Sequence, residues 1–147
     1  MNLLELLNNE QIEKISINLS DVELRFDKAQ RIFSFAKKNM VGDNASDADI
    51  IYTNLYDAIR IGCETILLLY GYRVRKSSEG HHYIAINAAS ELMVGRLESE
   101  FQRIQKMRQK RNRFDYGNLN SISEVELRQA MVDTDILLKE ISKLIKG

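Results

Sequence analysis

The chain contains no proline and no tryptophan, a single cysteine, seven glycines and no net charge. Each shortage excludes something. Proline removes a backbone donor and clashes with the preceding turn, so its absence leaves long helices uninterrupted. One cysteine, Cys63, permits no internal disulfide and fits a reducing compartment. The 21 basic and 21 acidic residues cancel, which removes the global electrostatic argument for nucleic-acid binding but not a local one. The longest unbroken apolar run is Ile66 to Tyr70, far below the roughly 20 residues of a membrane span. The N-terminal Met1-Asn2-Leu3-Leu4-Glu5-Leu6-Leu7 has no basic leader. No membrane association is expected, and the cytoplasm is the expected location.

What is present reads as helix. A chain of 147 residues is expected to form one domain, residues 1–147, large enough to hold a core without a metal or disulfide. Ser20-Asp21-Val22-Glu23 has the capping-box form and opens a segment with Val22, Phe26, Ala29, Phe33, Ala36 and Met40 on one face. Gly42-Asp43-Asn44 ends it. Ser46-Asp47-Ala48-Asp49 starts a second helix, running to Tyr70 and stopped at Gly71. That helix is apolar around most of its circumference, and its polar residues Thr53, Asp57, Arg60 and Glu64 fall on one narrow stripe, as in the central helix of a bundle.

Residues 71–81 read as a polar loop, basic at Arg73, Arg75 and Lys76. A third helix is predicted from about His82 to Arg96, with Ala85, Ala88 and Ala89 allowing close approach, and Gly95 marks a bend. A fourth spans about Glu98 to Tyr116, closed by Gly117-Asn118. Ser123-Glu124-Val125-Glu126 caps the last helix, whose inner stripe is Leu127, Ala130, Leu137, Ile141 and Leu144. No segment alternates as a strand does. The expected fold is all-α, an up-and-down antiparallel bundle of four long helices plus a short N-terminal helix.

Charge balance breaks in the fourth helix. Between Glu100 and Asp115 there is no acid, while Arg103, Lys106, Arg108, Lys110, Arg111 and Arg113 are all basic. Such a local field attracts phosphate; equally, basic helix ends are common solvated faces. The apolar stripe Leu97, Phe101, Ile104, Met107 and Phe114 places Arg111 where a core residue belongs. A desolvated guanidinium needs an acceptor, and Asp115, Asp57 and Glu64 are the candidates. This inward arginine shifts the reading from surface decoration towards a groove.

The segment Arg111-Asn112-Arg113-Phe114-Asp115-Tyr116 resembles the HEPN family, small helical bundles whose late helix carries Arg-Asn, a three-residue spacer and a His. Asp57-Ala58-Ile59-Arg60 through Leu67-Leu68-Leu69-Tyr70-Gly71, and His81-His82 after a basic loop, fit the same pattern more loosely across residues 46–117. The resemblance implies one of two roles: a metal-independent ribonuclease with its site at a dimer cleft, or a partner of a minimal nucleotidyltransferase in a toxin–antitoxin module. Arg111 and Asn112 match the motif, but Tyr116 stands in place of the histidine. A tyrosine, with its high pKa, is a poor general base at neutral pH. The expectation is therefore a non-catalytic or weakly active homodimeric component of a toxin–antitoxin or defence module. It would bind RNA, a nucleotide or a nucleotidyltransferase through Arg108, Arg111, Asn112, Asp115 and Tyr116, rimmed by Arg73, Arg75 and Lys76. The nearly all-apolar second helix motivates the dimer.

Two alternatives stand beside it. One is an endoribonuclease using Arg111, Asn112 and Tyr116. The other is a plain scaffold in which Arg111 makes a structural ion pair. Adjacent His81 and His82 diverge on a helix and cannot chelate one ion together, so neither a metal nor a cofactor is expected. One of them can cap the third helix, or fold across to Arg111 and partly restore the missing base. Cys63 reads as an inert buried thiol. Tyr52, Tyr56, Tyr70, Tyr72 and Tyr83 read as half-buried core, although stacking on them would suit single-stranded RNA.

Overall fold

The first helix, α1 (Leu3–Asn8), is capped by Asn2, whose side chain accepts from the Glu5 N–H at 2.9 Å. This computed structural model describes residues 1–40, 47–115 and 122–147, with the backbone alone at 113–115. After α1 comes β1 (Ile12–Lys14), then the long helix α2 (Leu19–Asn39). Its cap is Asn18, which accepts from Ser20 N–H and Asp21 N–H. The capping box expected at Ser20 and Glu23 therefore does not form, because Asn18 already occupies the extended position one step earlier. The expected inner face holds: Val22, Phe26, Ala29, Phe33 and Ala36 are buried. Gly42-Asp43-Asn44, expected to end this helix, and Ser46, expected to open the next, lie outside the described residues.

Helix α3 (Ala48–Leu69) follows Asp47 and carries thirteen buried residues. Thr53, Asp57, Arg60 and Glu64 form the half-buried stripe expected of them. Gly71 ends the helix in a left-handed conformation, φ 82°, donating its N–H to Leu68 O.

The polar loop expected from residue 71 is in part a strand. Tyr72–Val74 forms β2, antiparallel to β1 with Glu13 directly opposite Arg73. Arg73 Nε donates to Glu13 Oε1 at 2.6 Å across the pair. Segments of three residues are too short to display a period of two, which is why the sequence did not reveal them.

Helix α4 (His81–Leu92) is shorter than the span expected to reach Arg96. A turn intervenes in which Val94, Gly95 and Leu97 all take positive φ. Two of these are not glycine, so the turn stores strain of about 1 kcal/mol or more. Helix α5 (Glu98–Asp115) and helix α6 (Glu124–Lys146) complete the chain, α6 with the capping box of Ser123 and Glu126 that the sequence indicates. Leu127, Ala130, Leu137 and Ile141 are buried as expected, and Leu144 is half-buried.

The described residues thus form six helices and one two-stranded sheet, a mainly helical structure. Four helices are long and two, α1 and α4, are short, one helix more than the five expected, and the strand pair was not expected. Helix α3 packs against α2, α4, α5 and α6. At Gly62 a side chain would meet Ile141 Cδ1 at 3.1 Å, so α3 and α6 approach through a glycine. Because its own chain covers α3, that helix no longer argues for a second subunit. Among the described residues, no helix is long and apolar enough to cross a membrane.

Candidate functional site

Three helices bring their polar residues to one place. From α3 come Tyr56, Asp57, Arg60 and Glu64, spread over eight positions along consecutive turns. Helix α4 begins with His81-His82-Tyr83, and the last turns of α5 carry Arg108, Arg111 and Asn112. Positions 108 and 111 share a helix face.

Arg111 is half-buried with its Nε enclosed, in keeping with its place in the stripe of Phe101, Ile104 and Met107, all of which are buried. Its Cζ lies 5.9 Å from the centre of the Tyr56 ring. Arg108 Cζ lies 5.2 Å from the Tyr83 ring, and its Nε donates to Gln105 Oε1 at 3.2 Å. Both separations fall within the range of cation–π attraction. Of the acceptors expected for Arg111, Glu64 is held by Arg25 at 2.8 Å and Arg60 at 3.1 Å, and Asp57 lies 3.9 Å from Arg60. The side chain of Asp115 and all of Tyr116 lie outside the described residues.

His82 joins this group. Its ring sits 5.9 Å from that of Tyr56, tilted by 54°. Burial pushes the imidazole below its ordinary value, and the cations Arg60 and Arg111 push it further; Glu64 and Asp57 pull the other way. The ring is thus held neutral at pH 7, able to accept a proton through one nitrogen and donate through the other. His82 does not cap α4: the cap position is Gly80 and makes no side-chain cap bond. Tyr56 itself is fully buried, its phenol pushed upward by burial, and its hydroxyl has no hydrogen-bond partner among the described residues.

The other cations of α5 serve the fold. Arg103 grips Asp133 of α6 with two bonds, 2.8 and 2.9 Å long, and Gln129 adds a third at 3.1 Å. Asp133 is 1% exposed, and the bond holds the Arg103 guanidinium above its usual range. Lys110 pairs with Glu126, whose carboxyl it holds below the usual range. Lys106 is solvated. The structural reading of the basic run therefore applies to Arg103 and Lys110, and the site reading to Arg108 and Arg111.

The structure does not bring the basic residues of the 71–81 segment to Arg111. Arg73 pairs with Glu13, and Arg75 lies 3.7 Å from Glu13 and 4.0 Å from Glu10. Arg73 and Lys76 line a separate cleft between α2 and α3, to which His81 contributes and Arg111 does not. The expected single groove is thus two adjoining places, with Arg60, Glu64 and His81 bordering both. Tyr56 as a ring beside Arg111, and Asp133 as the anchor of Arg103, were not foreseen. Asp133 had a signal: an acid inside the stripe of Ala130, Thr134 and Leu137.

Among the described residues no group of three His, Cys, Asp or Glu side chains is placed to hold a metal ion. Cys63 is fully buried and its thiol is pushed up by burial, which makes it unreactive. No known family model matches the chain, and no curated protein sequence matches it either.

Proposed function

We propose that this protein is a HEPN-like domain that binds single-stranded RNA or a nucleotide at the surface formed by Arg108, Arg111, Tyr83 and His82. The observation that supports this most is the pair of guanidinium–aromatic contacts, Arg108 on Tyr83 and Arg111 on Tyr56, one turn apart on α5. Tyr83 is 40% exposed, so its ring can take a base while Arg108 takes the phosphate. Tyr56 is buried and instead props Arg111 from beneath. Asn112 is half-buried beside them.

In this reading the four long helices α2, α3, α5 and α6 form an up-and-down bundle. The resemblance alone carries the rest of this reading: a cytoplasmic homodimer that is one component of a toxin–antitoxin or defence module. A minimal nucleotidyltransferase is the partner that the resemblance suggests. Electrophoretic mobility with a short labelled single-stranded RNA tests the binding. The wild type should retard the RNA and Arg111→Ala should weaken binding at least about tenfold; equal retardation by both would contradict the proposal.

A second reading is favoured by His82 alone. A neutral imidazole beside an arginine supplies the base that the motif lacks at Tyr116, and makes a metal-independent endoribonuclease chemically feasible. RNA cleavage in the presence of a chelator, abolished by both His82→Ala and Arg111→Ala, selects this reading. Uncleaved but bound RNA rejects it.

A further inference from the structure

The cleft between α2 and α3 has a volume of about 710 Å³, within the usual range for small-ligand sites. Its walls carry five cations, Arg25, Lys28, Arg60, Arg73 and Lys76, against two acids, Asp21 and Glu64. In a chain with 21 charges of each sign, that local excess is unexpected. Ion pairs neutralise only part of it. Glu64 is shared between Arg25 at 2.8 Å and Arg60 at 3.1 Å, Arg60 also lies 3.9 Å from Asp57, and Arg73 pairs with Glu13, so the unpaired excess rests on the two lysines. Lys28 and Lys76 make no ion pair among the described residues.

The rest of the lining is apolar, with Leu24, Ile61 and Leu68 among it. We propose that this cleft is a second binding site, for a small organic phosphate whose anionic group is held by Lys28, Arg60 and Lys76 and whose body rests on Leu24, Ile61 and Leu68. A monocarboxylate carries too little charge for three cations lining one cleft, whereas a phosphate carries up to two charges and several acceptor oxygens. A recess, rather than an extended basic face, selects a small molecule over a polyanionic chain. The cleft borders the RNA surface through Arg60, Glu64 and His81, but none of Tyr56, His82, Tyr83, Arg108 and Arg111 lines it, so the two readings rest on different side chains.

Isothermal titration with phenyl phosphate tests it. The wild type should bind, and the doubly substituted Lys28→Ala, Lys76→Ala protein should bind at least about tenfold more weakly. Both lysines are exposed, so circular dichroism should show an unchanged fold. Arg108→Ala with Arg111→Ala should leave phenyl phosphate binding intact while RNA binding falls. Absence of heat with the wild type, or equal affinity in the lysine variant, overturns the proposal. Equal affinity for inorganic phosphate overturns its apolar half, and loss of RNA binding in the lysine variant overturns the separation of the two sites.

Discussion

The guanidinium of Arg111 lies 5.9 Å from the centre of the Tyr56 ring, on a tyrosine whose hydroxyl is buried without a hydrogen-bond partner among the described residues. The ring, rather than the phenol, is therefore what Arg111 uses. Tyr56→Phe keeps the ring and removes an unsatisfied polar atom. Thermal or urea unfolding should show stability raised by about 1 kcal/mol, with RNA binding unchanged. A clear loss of stability would reveal a bond to the hydroxyl.

His82 makes stability depend on pH in a predictable direction. Its folded pKa lies below the ordinary value of 6.5, so at intermediate pH the unfolded chain binds the proton more readily. This contribution is fully present above pH 6.5 and is lost as pH falls through the lowered folded value. The Glu13 and Glu126 carboxyls, held below the ordinary 4.5, act further down the scale. Urea midpoints measured from pH 7.5 to 5 should decline in the wild type and decline less in His82→Asn. Parallel curves would show that the imidazole is not held neutral.

Arg103 and Asp133 differ in what each leaves behind. Removing Arg103 leaves a carboxylate that is 1% exposed with only Gln129 bonded to it, whereas removing Asp133 leaves a guanidinium 39% exposed that can turn to water. Arg103→Met should cost about 3 kcal/mol and Asp133→Asn about 1 kcal/mol. Chemical denaturation of the two variants decides it, and equal costs would contradict the asymmetry.

Gly62 permits the contact of α3 with α6. Its added Cβ would meet Ile141 Cδ1 at 3.1 Å and Leu138 Cδ2 at 3.4 Å, both flexible side-chain ends. Gly62→Ala gains helix propensity of about 1 kcal/mol that offsets the crowding, so its stability should stay within about 1 kcal/mol of wild type. Gly62→Val has no such relief and should cost about 2–3 kcal/mol. A stable valine variant would mean that the helices lie further apart.

These particulars show which parts of the molecule were legible in the sequence. The inner faces of α2 and α6 were, because Phe26, Phe33, Leu137 and Ile141 recur at helical spacing and nothing competes with burial there. The Ser123–Glu126 capping box was legible; the one at Ser20 was misleading, because Asn18 offers the same chemistry one step earlier. The strands were not, since Glu13 and Arg73 meet across 60 positions and three-residue segments show no period. Arg111 was legible as an interruption of an apolar stripe. Its neighbours Tyr56 and His82 were not, because their meeting depends on how α3, α4 and α5 pack. Asp133 was readable by the rule that exposed Arg111, an ionisable residue in an apolar stripe.

The salt dependence of RNA affinity is the most direct test of binding through α5. Fluorescence anisotropy of a short single-stranded RNA, titrated at several salt concentrations, gives the slope of log K against log salt. Replacing Arg108 and Arg111 together by glutamine should flatten that slope by about 1.4, roughly 0.7 for each lost phosphate contact, and weaken binding at least about tenfold. An unchanged slope and affinity in the double variant would show that RNA, if bound at all, is held elsewhere.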